Sequence, residues 1–292
     1  MTTIKLLKMK KIVLSLALIT FLFSGCKENI EPDFDRKVIV NFITPSLSSS
    51  LLKSTATQAE IDINKIILFG LDLDGKVVKI PDIINTSGST ELSISIKIKT
   101  LFAIANPSAL MESATPADLA ALNGMTAIYS TAPQSYLLMS GKGDIVGNTA
   151  NIALIRAVAK IEIVSGDTDF FVIEKVQVRN TPNQGYVFQR ATVVLPSTTT
   201  SNYTEVTTAT PVLYVAENTS TNANQTIFRV TGKYLDKTVT EDIILKHSNQ
   251  NINIVRNTHY KVQINPATNG AFTIVITIPN WGEGGTFPYD LN

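Results

Sequence analysis

From residue 38 onward the chain is patterned mainly at period two, and the segments that alternate are rich in Val, Ile, Thr and aromatic residues. Residues 38–44 place Val38, Val40 and Phe42 on one side and Ile39, Asn41 and Ile43 on the other, apolar on both faces except at Asn41. That suits a strand largely buried within a sandwich. Residues 61–71 read as a second apolar strand, and Asp74-Gly75 after it is a hairpin signal. Residues 91–99 alternate cleanly, with Leu92, Ile94, Ile96 and Ile98 against Ser93, Ser95, Lys97 and Lys99; residues 101–106 continue after a bend at Thr100. One helix is predicted near 115–123, with Thr115 as N-cap, Pro116 at N1, Asp118 at N3 and Gly124 as stop. A turn over 108–113 precedes it. Residues 136–139 form a short strand before a turn over 140–143.

Residues 151–164 give a long strand signal in which Arg156 and Lys160 interrupt the apolar run. Strand signals then recur at 170–179, 186–190, 211–216, 226–234, 237–245, 253–255, 260–264 and 272–278, at the spacing of a β-sandwich. Residues 234–237 read as a hairpin turn, and the Ser/Thr-rich stretch 197–210 as an exposed loop. The expectation is an all-β protein of two tandem, mostly antiparallel sandwich domains, 37–150 and 151–292, with one short helix in the first.

The first 26 residues depart from this pattern. Lys5, Lys8, Lys10 and Lys11 precede an apolar run over 12–23, as in a signal peptide, and the run is too short to favour a membrane span. It ends Ser24-Gly25-Cys26, which resembles a bacterial lipobox in which Cys26 becomes the lipidated first residue. Phe23 stands where such boxes usually carry Leu; the competing reading is a plain secretory signal with an incidental cysteine. Residues 27–36 then form a polar tether.

Composition removes several functions. Apolar residues are 44% of the chain, ample for two cores, and 25 basic residues against 24 acidic ones leave no footprint for nucleic acid. A single cysteine rules out a disulfide framework and a Cys-based zinc site, and two histidines make a multi-histidine metal site improbable. His247 and His259 each read as surface or turn residues. Asp72, Asp74 and Gly75 lack the further carboxylates of a calcium loop, and Gly141 and Gly143 are followed by no phosphate-binding helix start. Glu241 and Asp242 are neighbours that a strand turns to opposite faces. Trp281, with Phe287 and Tyr289, reads as a core anchor rather than a sugar-stacking surface. No enzyme constellation and no cofactor site is expected.

Taken together, the lipobox at Cys26, the segment from Glu60 to Gly75, Phe102-Ala103-Ile104-Ala105-Asn106 and Leu138-Met139-Ser140-Gly141 resemble the FimA/Mfa-type fimbrillins, lipoprotein-derived subunits of Bacteroidales type V pili. So do Arg156-Ala157-Val158-Ala159-Lys160-Ile161, Leu213-Tyr214-Val215-Ala216-Glu217-Asn218, and Val255-Arg256-Asn257-Thr258-His259-Tyr260-Lys261-Val262, with Trp281 closing the set. The resemblance implies two transthyretin-like sandwiches, export to the outer membrane and cell surface as a lipoprotein, and a role in pili and adhesion. It further implies that a protease cuts the loop after the first strand, and that a strand from another copy or a related subunit then fills the groove.

Here Val38, Val40 and Phe42 would be the displaced side chains, or else Ile39 and Ile43. The loop over 45–60 holds no arginine, and its one basic residue is Lys53, the candidate cleavage site. Arg36 precedes the strand, so a cut there would leave the strand in place. An uncut subunit, serving as an anchor or accessory protein, and a non-polymerising glycan-binding lipoprotein are the alternatives. Beyond Gly284-Gly285, Phe287, Tyr289 and Leu291 recur at period two and form the candidate donor strand, with Pro288 among them.

Overall fold

The computed structural model describes residues 35–44, 57, 60–84, 88–129, 136–197, 199–206, 210–219, 225–247, 250–266 and 272–278. From Arg36 on they belong to one compact unit, and the fold is all-β. Its elements are β1 (Asp35–Ile43), β2 (Lys65–Asp72), β3 (Val77–Ile84), β4 (Gly88–Ser95), β5 (Ile98–Ala105), α1 (Ala109–Glu112), α2 (Leu119–Asn123), β6 (Thr126–Ile128), β7 (Met139–Val146), β8 (Thr149–Ala153), β9 (Ile155–Arg156) and β10 (Val158–Ser165). There follow β11 (Phe171–Pro182), β12 (Gln184–Tyr186), β13 (Thr200–Val206), β14 (Val212–Ala216), β15 (Ile227–Tyr234), β16 (Lys237–Ile243), β17 (Lys246–His247), β18 (Gln250–Asn251), β19 (His259–Pro266) and β20 (Phe272–Thr277).

An eight-stranded sheet runs in the order β3-β2-β5-β7-β8-β1-β4, with β9 beside β7. It curls round one core in which Val38, Val40 and Phe42 meet Ile66, Leu68, Ile94, Leu101 and Ile152. The opposite face of β2 and β5 is also covered. Phe69, Phe102 and Ile104 pack under Met111 of α1, Leu122 of α2, and Val187 and Phe188. Phe102 and Phe188 meet edge to face at 5.4 Å. Past Ala157, the sheets β14-β10-β19-β20 and β13-β11-β15-β16 enclose another core, with Ile161, Leu213 and Val262 facing Val176, Phe228 and Val230. Pairing is mostly antiparallel; β1 with β8 and β10 with β19 are parallel.

Several expected elements are divided or shifted, each for a local reason. The alternation over 91–99 does not form one strand, because the chain turns at Ile96–Lys97 rather than bending at Thr100. Ser95 Oγ accepts from Lys97 N–H across that turn, and Ile96 is 43% exposed. Two short helices replace the single one. Residues 114–117 are not helical: Ala117 O accepts from Val77 N–H, and the next residue, Asp118, makes a β-bridge with Lys76. Asp118 rather than Thr115 therefore caps α2, accepting from Ala121 N–H at 2.8 Å.

The turn expected over 140–143 lies inside β7. There β8 crosses so closely that a Cβ on Gly141 would stand 2.1 Å from Ala153 O, and one on Gly143 2.3 Å from Asn151 O. Those glycines serve close backbone approach, not a turn. The long signal over 151–164 splits into β8, β9 and β10, and the expected Ser/Thr loop contains β13, which pairs with β11. Residues 187–190 lie beyond β12 and are not strand, and 253–255 contributes only an isolated bridge at Ile254. The Asp74-Gly75 hairpin is present, with Gly75 at φ 80° and Asp72 Oδ1 accepting from the N–H groups of Asp74 and Lys76. That carboxylate is committed to the turn.

Candidate assembly site

β1 comes first among the described strands yet is central in its sheet, with β8 on one side and β4 on the other. Its burial alternates strictly. Val38 and Val40 are fully buried and Phe42 nearly so, whereas Ile39 and Ile43 are 46% and 51% exposed. The strand is therefore buried on one face, not both, because only its inward side meets the core. Of its two sets of side chains, Val38, Val40 and Phe42 face the core. Their burial stabilises the strand by roughly 5–9 kcal/mol before ordering costs are subtracted.

Backbone and polar contacts fix the register. Ile39 N–H donates to Asn148 O and Leu154 N–H to Ile43 O, each at 2.9 Å. On the outward face Asn41 Nδ2 donates to Asn151 Oδ1 at 2.7 Å and Asn41 Oδ1 accepts from Ser89 Oγ at 2.5 Å, so one amide ties the strand to both neighbours. Lys37 pairs with Glu91 at 2.9 Å, an exposed contact worth little. Arg36 lies within the strand, with Nη2 donating to Ile98 O at 2.7 Å. A protease that needs an extended, unpaired segment meets Arg36 only after β1 frays. Lys53, Cys26, Phe287, Tyr289, Leu291 and Trp281 lie outside the described residues.

Ahead of β2 the chain is held by a buried carboxylate whose role sequence reasoning passed over. Glu60 is fully buried, and its Oε1 accepts from Lys160 Nζ at 2.9 Å and from the Tyr214 hydroxyl. Its Oε2 accepts from Thr57 N–H at 2.9 Å, and its backbone oxygen accepts from Arg156 Nε at 2.8 Å. Arg156 Nη1 reaches Asn257 Oδ1 at 3.2 Å. Burial pulls Arg156 down to about 10, which leaves it charged at neutral pH, and burial together with the bond to Glu60 raises the Tyr214 hydroxyl, which stays protonated. Glu60, ahead of β2, is thus tied to β9, β10 and β14, none of which neighbours β1.

His259 stands in register with Lys160 across β10 and β19 and is fully buried, so the surface reading of this residue is overturned. Its Nε2 is 3.0 Å from Glu162 Oε2. Burial, then the positive charge of Lys160, lowers its pKa to about 4, so the ring is neutral near pH 7. The side chain of His247 is outside the described set.

A second buried pair lies alongside. Arg256 donates from Nε and Nη2 to the two carboxylate oxygens of Glu217 at 3.0 and 2.6 Å, and from Nη1 and Nη2 to the backbone oxygens of Val187 and Tyr186. Ser140 Oγ also donates to Val187 O, at 2.7 Å. These contacts hold residues 186–188 against the face of β2 and β5. Glu60, Arg156, Lys160, Glu217 and Arg256, all within the segments quoted above for the family resemblance, therefore fall in two buried polar networks. For Arg156 and Lys160 the signal in the sequence was a charge interrupting an apolar run. Among the described residues no group of three His, Cys, Asp or Glu side chains could hold a metal ion, and no helix is long and apolar enough to cross a membrane.

No protein-family model and no curated protein sequence matches the chain. Solved structures do. A protein assigned to cell adhesion from Bacteroides eggerthii superposes with a TM-score of 0.61 at 12% identity, over 87% of this chain and 98% of that one. The tip fimbrial protein Mfa3 from Porphyromonas gingivalis, with a C-terminal truncation, gives 0.59 at 14% identity, over 84% and 100%. A fimbrial assembly protein from Parabacteroides distasonis gives 0.54 at 13%, over 85% and 100%. At such identities the likeness is one of fold, and that fold is the Mfa-type, fimbrillin-like one.

Proposed function

We propose that this chain is a structural subunit of a cell-surface fimbria, supporting adhesion, and that it has no enzymatic role. In this reading it is exported as a lipoprotein anchored in the outer membrane through Cys26 and folded as sandwich domains over 37–150 and 151–292. A processing protease cuts after Lys53, β1 departs, and a strand from another subunit takes its place by donor-strand exchange. One observation carries the reading: the first described strand is central in its sheet, supplies three side chains to a core, and precedes the loop that holds Lys53. Loss of such a strand leaves unpaired edges on both β8 and β4 and an open apolar groove, which favours replacement. The fimbrial and adhesion proteins that share the fold support the same reading.

N-terminal sequencing of protein taken from the cell surface tests it. A start at Ser54 is the expected outcome. A blocked, lipidated Cys26 as the sole form would sink the exchange mechanism and favour an uncut anchor, a reading to which the absence of arginine from 45–60 lends weight. A glycan-binding lipoprotein is less well supported, since Tyr136 and Phe170 are the only exposed aromatics among the described residues and are too few to line a stacking face.

A further inference from the structure

The place that β1 occupies selects its occupant by more than hydrophobicity. β1 runs parallel to β8 in the register Ile39↔Thr149 to Ile43↔Ala153. In a parallel pair alternate residues of a strand turn both backbone groups towards one neighbour. Here Ile39 and Ile43 face β8, as their bonds with Asn148 and Leu154 show, and Asn41 shares their parity. Residues of the other parity face β4. Every central position in this place therefore needs a backbone N–H. The inward positions are also sized: two valines, both fully buried, and then a phenylalanine. Arg36, two residues before the first valine, supplies a guanidinium to Ile98 O.

Residues 285–292 of this same chain, Gly-Thr-Phe-Pro-Tyr-Asp-Leu-Asn, meet these requirements poorly. Seating all three of Phe287, Tyr289 and Leu291 inward allows one register in each direction. In the direction of β1 they take the places of Val38, Val40 and Phe42, and Pro288 falls on the place of Ile39. Proline has no N–H, so Asn148 O loses its donor within a strand paired on both sides. Gly285 then stands at the place of Arg36, with nothing to offer Ile98 O. In the opposite direction Pro288 falls on the place of Asn41, again in mid-strand. In both directions Tyr289 must enter the position shaped by Val40, where extra volume forces neighbouring side chains and backbone out of position.

Resting on the strand-exchange reading proposed above, we infer that the place of β1 is filled by a strand from a different kind of subunit. That strand is proline-free, carries β-branched side chains at the first two inward places and an aromatic at the third, and has a basic residue two places ahead of them. Residues 286–291, if they act as a donor, serve a groove shaped differently from this one. Assembly through β1 is thereby heterotypic.

The test uses the full chain cut after Lys53, with the released strand washed out in urea just below the unfolding transition. Three labelled peptides are titrated by fluorescence anisotropy: residues 36–43, residues 285–292, and 285–292 carrying Pro288→Val. The 36–43 peptide is expected to bind at least about a hundredfold more tightly than 285–292, and Pro288→Val to recover roughly tenfold of the deficit by restoring one ladder hydrogen bond. Equal binding of 36–43 and 285–292, or no gain from Pro288→Val, overturns the inference and leaves strand exchange standing. If even 36–43 cannot enter the cut chain, the removable-strand reading itself fails, and the inference falls with it.

Discussion

Glu60 gathers Lys160, Tyr214 and Arg156 into one buried site ahead of β2. Glu60→Ala would leave Lys160 without its 2.9 Å carboxylate partner in a buried site, at an expected cost of about 3–5 kcal/mol in urea unfolding. A cost below ~1 kcal/mol would mean that water or rearrangement already satisfies Lys160. His259 gives the residue scale a pH signature. Its pKa is about 4 when folded and about 6.5 when unfolded, so the unfolded chain binds the extra proton between those values. Stability contributed by the neutral ring is complete above about pH 6.5 and is lost as pH falls towards 4. Denaturation midpoints measured across that window should decline in the native chain and flatten in His259→Gln. Lys160, Glu162 and Glu60 act on the ring and Lys261 lies 3.7 Å from Glu162; all remain in both proteins, so the difference between the two curves isolates His259. These groups were visible in the sequence only as charges inside apolar strands. Arg156 and Lys160 read there as interruptions, because a buried charge and a solvated one look alike until a partner is found, and Glu60 lies 96 residues from Arg156.

At the scale of elements, β1 and the strands round it account for most of the differences between pattern and fold. Phe42→Ala should destabilise the uncut chain by about 3–5 kcal/mol, whereas Ile39→Ala and Ile43→Ala should each stay below ~1 kcal/mol. Parallel urea titrations of the three variants check this, and comparable losses at Ile39 and Phe42 would contradict the one-sided burial of the strand. Strands such as β15 and β19 were legible because apolar alternation and β-branched content agree over most of their length, and β2 because it is a continuous apolar run that ends at a hairpin signal. The turn at Ile96–Lys97 was not, since a turn between two strands of matching alternation leaves the period unbroken. Gly141 and Gly143 carried a turn composition, and what overrode it was the approach of β8 to within about a carbon atom's reach of their backbone.

For the molecule as a whole, heterotypic filling of the β1 place has a consequence in bulk. Purified chain cut after Lys53 should remain monomeric by itself and form heat-labile, detergent-resistant ladders only when mixed with the other subunits of its fimbria, as read on unheated denaturing gels. Ladders formed by the cut chain alone would refute heterotypic filling and still support a fimbrial role. The sequence by itself determined the β class and the place of many of the strands, because both are written in residues a few places apart. Tertiary structure alone decided that the first described strand lies between β8 and β4, and that Glu60, Lys160, Tyr214 and Arg156 meet in one buried site. Both depend on contacts such as that of Asn41 with Asn151, 110 residues away. Ladder hydrogen bonds and ion pairs at such separations leave no local period, and only the packed fold makes them.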